Sequence, residues 1–257
     1  MPNIQSATLT VGTGDEARTI AMETRDGSSP GLFWLGGFRS DMIGAKAMAL
    51  DALGTEAGLA VTRFDYSAHG VSGGDFEDGT ISRWLEEAQA VFATTTGPQI
   101  IVGSSMGGWI ALLLVKAMLA NNSHRAKGLV LIAPGVDMTH ERMLPGFSPE
   151  QHESLQNVGY VDRPSQYSST PYRITRKLIE DGTQHLLFGG VIETGCPVVI
   201  LQGGQDPDVP QAAAIKLVTH ILHDPVTLTL IPDGDHRLSR PEDLARLKAA
   251  VMGLVEG

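Results

Sequence analysis

Cysteine is almost absent from this chain. Cys196 stands alone, so no internal disulfide can form, and a structural zinc site built on several thiolates is excluded. That scarcity suits a reducing compartment, and a cytoplasmic location is expected. Basic residues are also few. Nineteen Lys and Arg face 29 Asp and Glu, a formal charge of −10. The cations are unclustered, so counterion release on a polyanion has no footing and nucleic acid is not an expected partner. The N-terminal residues carry neither the basic stretch followed by an apolar run of a signal peptide nor the Arg-rich character of a transit peptide. Long apolar runs are missing too. The most apolar one, 109–120, is broken by Lys116 and falls short of the roughly 20 residues a membrane-spanning helix needs. Stable membrane insertion is not expected.

What is present reads as one α/β domain. At 257 residues and 42% hydrophobic, the chain can bury a sizeable core without dividing. Ile4–Val11 and residues 18–24 alternate around Gly12-Thr13-Gly14-Asp15 and predict an N-terminal hairpin. Residues 31–35 form a continuous apolar run before Gly36-Gly37, with helical spacing beyond Ser40-Asp41. Strands are then expected at 59–65, 99–103, 128–133, 197–202 and Val226–Ile231. Helices are expected at 80–92, 105–120, 211–222 and 241–255. Strands that are apolar throughout imply a mostly parallel sheet covered on both faces. Segment 139–195 breaks this rhythm, and a connection of that length predicts an inserted cap or lid. Met138, Met143, Leu144 and Phe147 either line an apolar pocket there or pack the insertion onto the sheet.

Gly103-Ser104-Ser105-Met106-Gly107 places a serine between two glycines, after a strand and before a helix. A strained turn of this kind exposes the serine hydroxyl, and neighbouring Cβ atoms would clash there. Read alone, Ser105 is equally a helix N-cap after a glycine turn. An acid and a base in the order Ser, Asp, His change that balance. Asp206 lies in the loop after strand 197–202, and His236 in the loop after Val226–Ile231, where catalytic groups belong in such a sheet. Asp208 is the rival acid. Asp233 and Asp235 flank His236 and read as turn or solvent residues. The oxyanion-stabilising amides are expected at Met106 and, from the loop after the apolar run 31–35, at Phe38. Arg39 is left outside this set despite its reach toward an anionic group. His69 precedes the serine in a Gly-rich loop whose side chains, Asp65 included, read as holding one another. No phosphate-binding glycine loop or His-Glu-x-x-His helix is present, and no cofactor or metal is expected.

These features resemble the α/β-hydrolase superfamily along nearly the whole chain. Phe64-Asp65-Tyr66-Ser67, the segment from Gly103 to Trp109, Cys196-Pro197 and Asp235-His236-Arg237 are similar to the ABHD-type acyl-protein thioesterase and acyl-glucuronide esterase subfamily. The resemblance implies an α/β-hydrolase fold, an acylated or small-molecule substrate, and hydrolysis of S-acyl cysteine or acyl-glucuronide esters by Ser105, Asp206 and His236. One departure is Leu35-Gly36-Gly37-Phe38-Arg39, where relatives often carry Pro-Gly before an aromatic residue. The lack of an evident transit peptide suggests a bacterial-type relative. The same triad also serves carbon–carbon bond hydrolysis on this scaffold, and a receptor could retain it. Fold and triad do not separate these readings.

Overall fold

The computed structural model describes residues 4–164 and 171–257. Its centre is an eight-stranded sheet. In chain order the strands are β1 (Ile4–Val11), β2 (Arg18–Arg25), β3 (Ser28–Leu35), β4 (Leu59–Phe64), β5 (Gln99–Ser104), β6 (Ala126–Ile132), β9 (Val198–Gly203) and β10 (Val226–Ile231). Spatially they run β1-β2-β4-β3-β5-β6-β9-β10. Pairings from β4 across to β10 are parallel, and the β1–β2 hairpin joins β4 antiparallel. The expected α/β-hydrolase architecture, mostly parallel and covered on both faces, is the one found.

The continuous apolar strands follow from that double cover, because successive side chains point to opposite faces. Phe33, Leu35, Ile101, Leu129 and Leu131 enter one core with α2 (Ile81–Thr94) and α3 (Met106–Ala120). Their neighbours Leu32, Trp34, Ile100, Val102 and Val130 enter another with α1 (Ala45–Ala57) and α7 (Pro241–Glu256). The helix α3 is apolar nearly all round because it is wrapped by the sheet, α2 and the segment after β6. α6 (Gln211–His220) packs Ala214 and Leu217 into the first core. Among the described residues, no helix is long and apolar enough to cross a membrane.

Between β6 and β9 the chain leaves the sheet. It forms a wide turn with π-helical hydrogen bonding at Thr139–Met143, then α4 (Pro149–Asn157), a two-stranded ribbon of β7 (Tyr160–Arg163) and β8 (Tyr172–Thr175), and α5 (Arg176–Gly182). Residues 165–170 of the expected insertion lie outside the described residues. Of the four apolar side chains expected in this region, Met138 and Phe147 are buried in the first core, and Met143 and Leu144 pack against it. Asp137, at the root of the segment, accepts hydrogen bonds from the Leu187 and Phe188 amides and so ties the returning chain to its start. Burial raises the Asp137 pKa, partly offset by those amides.

A charged pair is locked inside the same layer. Glu87 on α2 is fully buried and accepts from Arg18 Nε at 2.5 Å and from the Ser67 amide at 2.8 Å. Removing one member of a buried pair strands the other charge in a low-dielectric site, at a cost of about 3 kcal/mol or more. Glu87→Gln is therefore expected to move the urea unfolding midpoint clearly downward. An unchanged midpoint would show that Arg18 is satisfied by Glu86 alone.

Candidate active site

The site assembles at the carboxyl ends of β3, β5, β9 and β10. Ser105 follows β5 directly, with φ 53° and ψ −116°, and α3 begins at the next residue. Three backbone hydrogen bonds hold it in that strained conformation: Ser105 N–H to Ile132 C=O (2.9 Å), and Gly108 N–H and Gly135 N–H to Ser105 C=O (2.9 and 3.0 Å). Gly107 is needed because a Cβ there would overlap the Leu35 and Gly36 carbonyl oxygens. The start of α3 thus presses directly on the loop leaving β3.

The acid and base loops meet in a similar way. A Cβ on Gly203 would collide with the Gly234 and Asp235 carbonyls, so glycine lets the loop after β9 lie flat against the loop after β10. Gln205 N–H donates to Gly234 C=O at 2.9 Å and Gly204 N–H to Ile231 C=O at 2.7 Å. These contacts bring His236 Nδ1 to 2.8 Å from Asp206 Oδ2, and His236 Nε2 to 3.1 Å from Ser105 Oγ. The carboxylate can only accept, so Nδ1 carries the proton and Nε2 presents a lone pair to the serine hydroxyl. Asp206 is fully buried at its side chain. Its Oδ1 accepts from the Asp208 and Val209 amides, both at 2.8 Å.

The structure brings Ser105, Asp206 and His236 into one hydrogen-bonded chain. Asp208 lies beside them, and one of its carboxylate oxygens is within 4.8 Å of ligand atoms of Asp206 and His236. Its amide, rather than its side chain, supports Asp206. Asp233 is paired with Arg240, and Asp235 accepts from the Leu238 amide, in keeping with turn and surface roles. The Met106 amide sits in the first turn of α3, where N–H groups have no intrahelical partner. Phe38 is on the loop pressed against α3, its ring packed on Phe76, Trp84 and Tyr172. Arg39 lies over the Phe76 and Tyr172 rings, at the edge of a cleft of about 370 Å³ that Ser40, His69 and Arg173 also line.

His69 packs within its own loop and against α2. It is buried, with Nδ1 at 2.9 Å from Ser67 C=O and its ring edge-on to Trp84. Burial pushes its pKa down. Asp65 accepts from the Met42 and Val71 amides at 2.6 and 2.9 Å. This loop therefore holds itself together, as its composition suggested. Gln202 went unread as a site residue. It ends an apolar strand, is fully buried, and donates through Nε2 to Asp206 Oδ2 (3.3 Å) and Val209 C=O (2.9 Å). An amide at the end of Val198-Val199-Ile200-Leu201 was the available signal.

The model of the alpha/beta hydrolase family matches residues 27–247. The chain belongs to the alpha/beta hydrolase family. This hydrolase is 32% identical to the bovine mitochondrial palmitoyl-protein thioesterase ABHD10 over 92% of its own length and 76% of that relative. Among solved structures, an Agrobacterium vitis S4 protein matches it with a TM-score of 0.95 at 48% identity, covering 98% of this chain and 99% of the other. Mouse alpha/beta hydrolase domain-containing protein 10 matches with a TM-score of 0.85 at 28% identity, covering 98% of both chains. The ABHD-type resemblance read from the motifs agrees with these findings.

Proposed function

We propose that this hydrolase is a serine esterase and thioesterase in which Ser105, His236 and Asp206 form the catalytic triad. The observation that carries the reading is the chain from Ser105 Oγ through His236 to the buried Asp206 carboxylate, at 3.1 and 2.8 Å. His236 Nε2 takes the hydroxyl proton as Ser105 attacks the acyl carbonyl. Asp206 fixes the tautomer and stabilises the imidazolium. The Met106 and Phe38 amides face the developing oxyanion. The imidazolium then protonates the departing alcohol or thiol, and water, deprotonated by His236, releases the acid from the acyl-enzyme. The route uses protein groups and water alone.

Thioesters enter the proposal through the relatives, whose name specifies palmitoyl-protein thioesterase. Segment 139–195 is proposed as a cap on the same domain that sets acyl-chain and leaving-group preference. A panel of p-nitrophenyl esters and S-acyl thioesters from short to long chains tests the reading, together with fluorophosphonate labelling mapped by mass spectrometry. Turnover of acyl substrates with the label on Ser105 is expected. Labelling without turnover of any acyl substrate would instead indicate a receptor, and cleavage confined to diketone-like compounds a carbon–carbon bond hydrolase.

A further inference from the structure

The loop that carries Asp206 is held from two sides. Beneath it lies the Gln202 amide described above. On the outer side, Arg142, in the first turn of the segment after β6, donates from Nε to the Asp208 carbonyl at 2.7 Å and from Nη2 to the Pro207 carbonyl at 3.2 Å. Those two carbonyls belong to two particular peptide groups. Pro207 C=O shares a planar unit with Asp208 N–H, and Asp208 C=O shares one with Val209 N–H. Both of these N–H groups donate to Asp206 Oδ1 at 2.8 Å. Because a peptide group is rigid and planar, fixing its oxygen fixes the direction of its N–H. A cation on the oxygen also polarises the N–H toward the carboxylate.

Other contacts tie the same turn to the body. On the same turn, Glu141 pairs with Lys216 at 2.7 Å. Lys216 is on α6, the helix into which the Asp206 loop runs. Thr139, at the start of the turn, packs against Gly182 of α5.

We propose that Arg142 is a positioning residue that orients Asp206 by fixing these two peptide planes, so that the inserted segment supports proton transfer as well as covering the site. The proposal rests on the reading of Asp206 as the triad acid. A residue that merely staples the segment to the body would do neither.

The test uses the full chain and p-nitrophenyl acetate, a substrate too small to depend on acyl-chain contacts, with circular dichroism and thermal midpoints to confirm folding. Arg142→Ala is expected to lower kcat about ten-fold with KM changed less than about two-fold. Arg142→Lys, which places a cation at the same carbonyls, is expected to recover part of the loss. In an Asp206→Asn background, Arg142→Ala is expected to have almost no further effect, because its influence runs through the carboxylate. Glu141→Ala, which loosens the segment without touching the two peptide groups, is expected to leave kcat within about two-fold of wild type.

An unchanged kcat in Arg142→Ala, an equal loss in the Asp206→Asn background, or an equal loss in Glu141→Ala would each overturn the assignment. Wild-type kcat in Asp206→Asn alone would overturn the triad reading instead and the inference with it. The two failures are thus separable.

Discussion

Ser105→Ala is expected to reduce kcat for p-nitrophenyl esters by about 10⁶, leaving only turnover from the oxyanion donors and substrate binding. His236 Nε2 lies 3.1 Å from Ser105 Oγ, and Ser104, the adjacent hydroxyl, is buried at the end of β5. The variant should fold normally, since none of the backbone hydrogen bonds at residue 105 involves the hydroxyl. A companion substitution separates function from strain. Ser105→Gly is expected to be equally inactive yet more stable than Ser105→Ala by about 1 kcal/mol, because φ of 53° is costly for any residue with a Cβ. Steady-state kinetics with thermal denaturation of both variants checks the pair of outcomes. Wild-type turnover by Ser105→Ala would sink the nucleophile assignment.

The second large effect distinguishes the two candidate acids. Asp206→Asn is expected to lower kcat by about 10⁴, because an amide facing Nδ1 no longer enforces the productive tautomer or stabilises the imidazolium. Asp208→Asn should change kcat by less than about three-fold, because the loop depends on the residue 208 amide and that variant keeps it. Parallel kcat measurements decide between them. A large loss in Asp208→Asn with little in Asp206→Asn would transfer the role to Asp208.

Much of this arrangement was legible because its physical causes are local. The glycines flanking Ser105, the strand before it and the helix after it are consequences of a tight turn that tolerates no side chain at Gly103 or Gly107. Continuous apolar runs disclosed a sheet covered on both faces because each strand feeds two cores. Element boundaries moved by a few residues. Strand β3 starts at Ser28 rather than 31, where the polar residues before the apolar run already extend along the sheet. Helix α1 starts at Ala45 after a turn through Asp41.

Other features could not be read, since they join residues far apart in the chain. Glu87 and Arg18 look like surface charges on amphipathic elements until packing encloses both. Gln202 and Arg142 look unremarkable until the loop after β9 folds between them. Met138 and Phe147 fit two readings in the sequence, and both are buried in the first core.

The sequence by itself determined the α/β class, the strand–turn–helix around Ser105, and an acid and a base at the ends of later strands. Periodicity and glycine placement are properties of short segments and need no partner to be recognised. Only the tertiary structure decided that Asp206 rather than Asp208 bonds His236, that His69 stays in its own loop, and that Arg142 reaches the Asp206 loop. Each of those outcomes depends on which loops lie against each other, which is set by the collapse of the sheet and its helices rather than by any one segment.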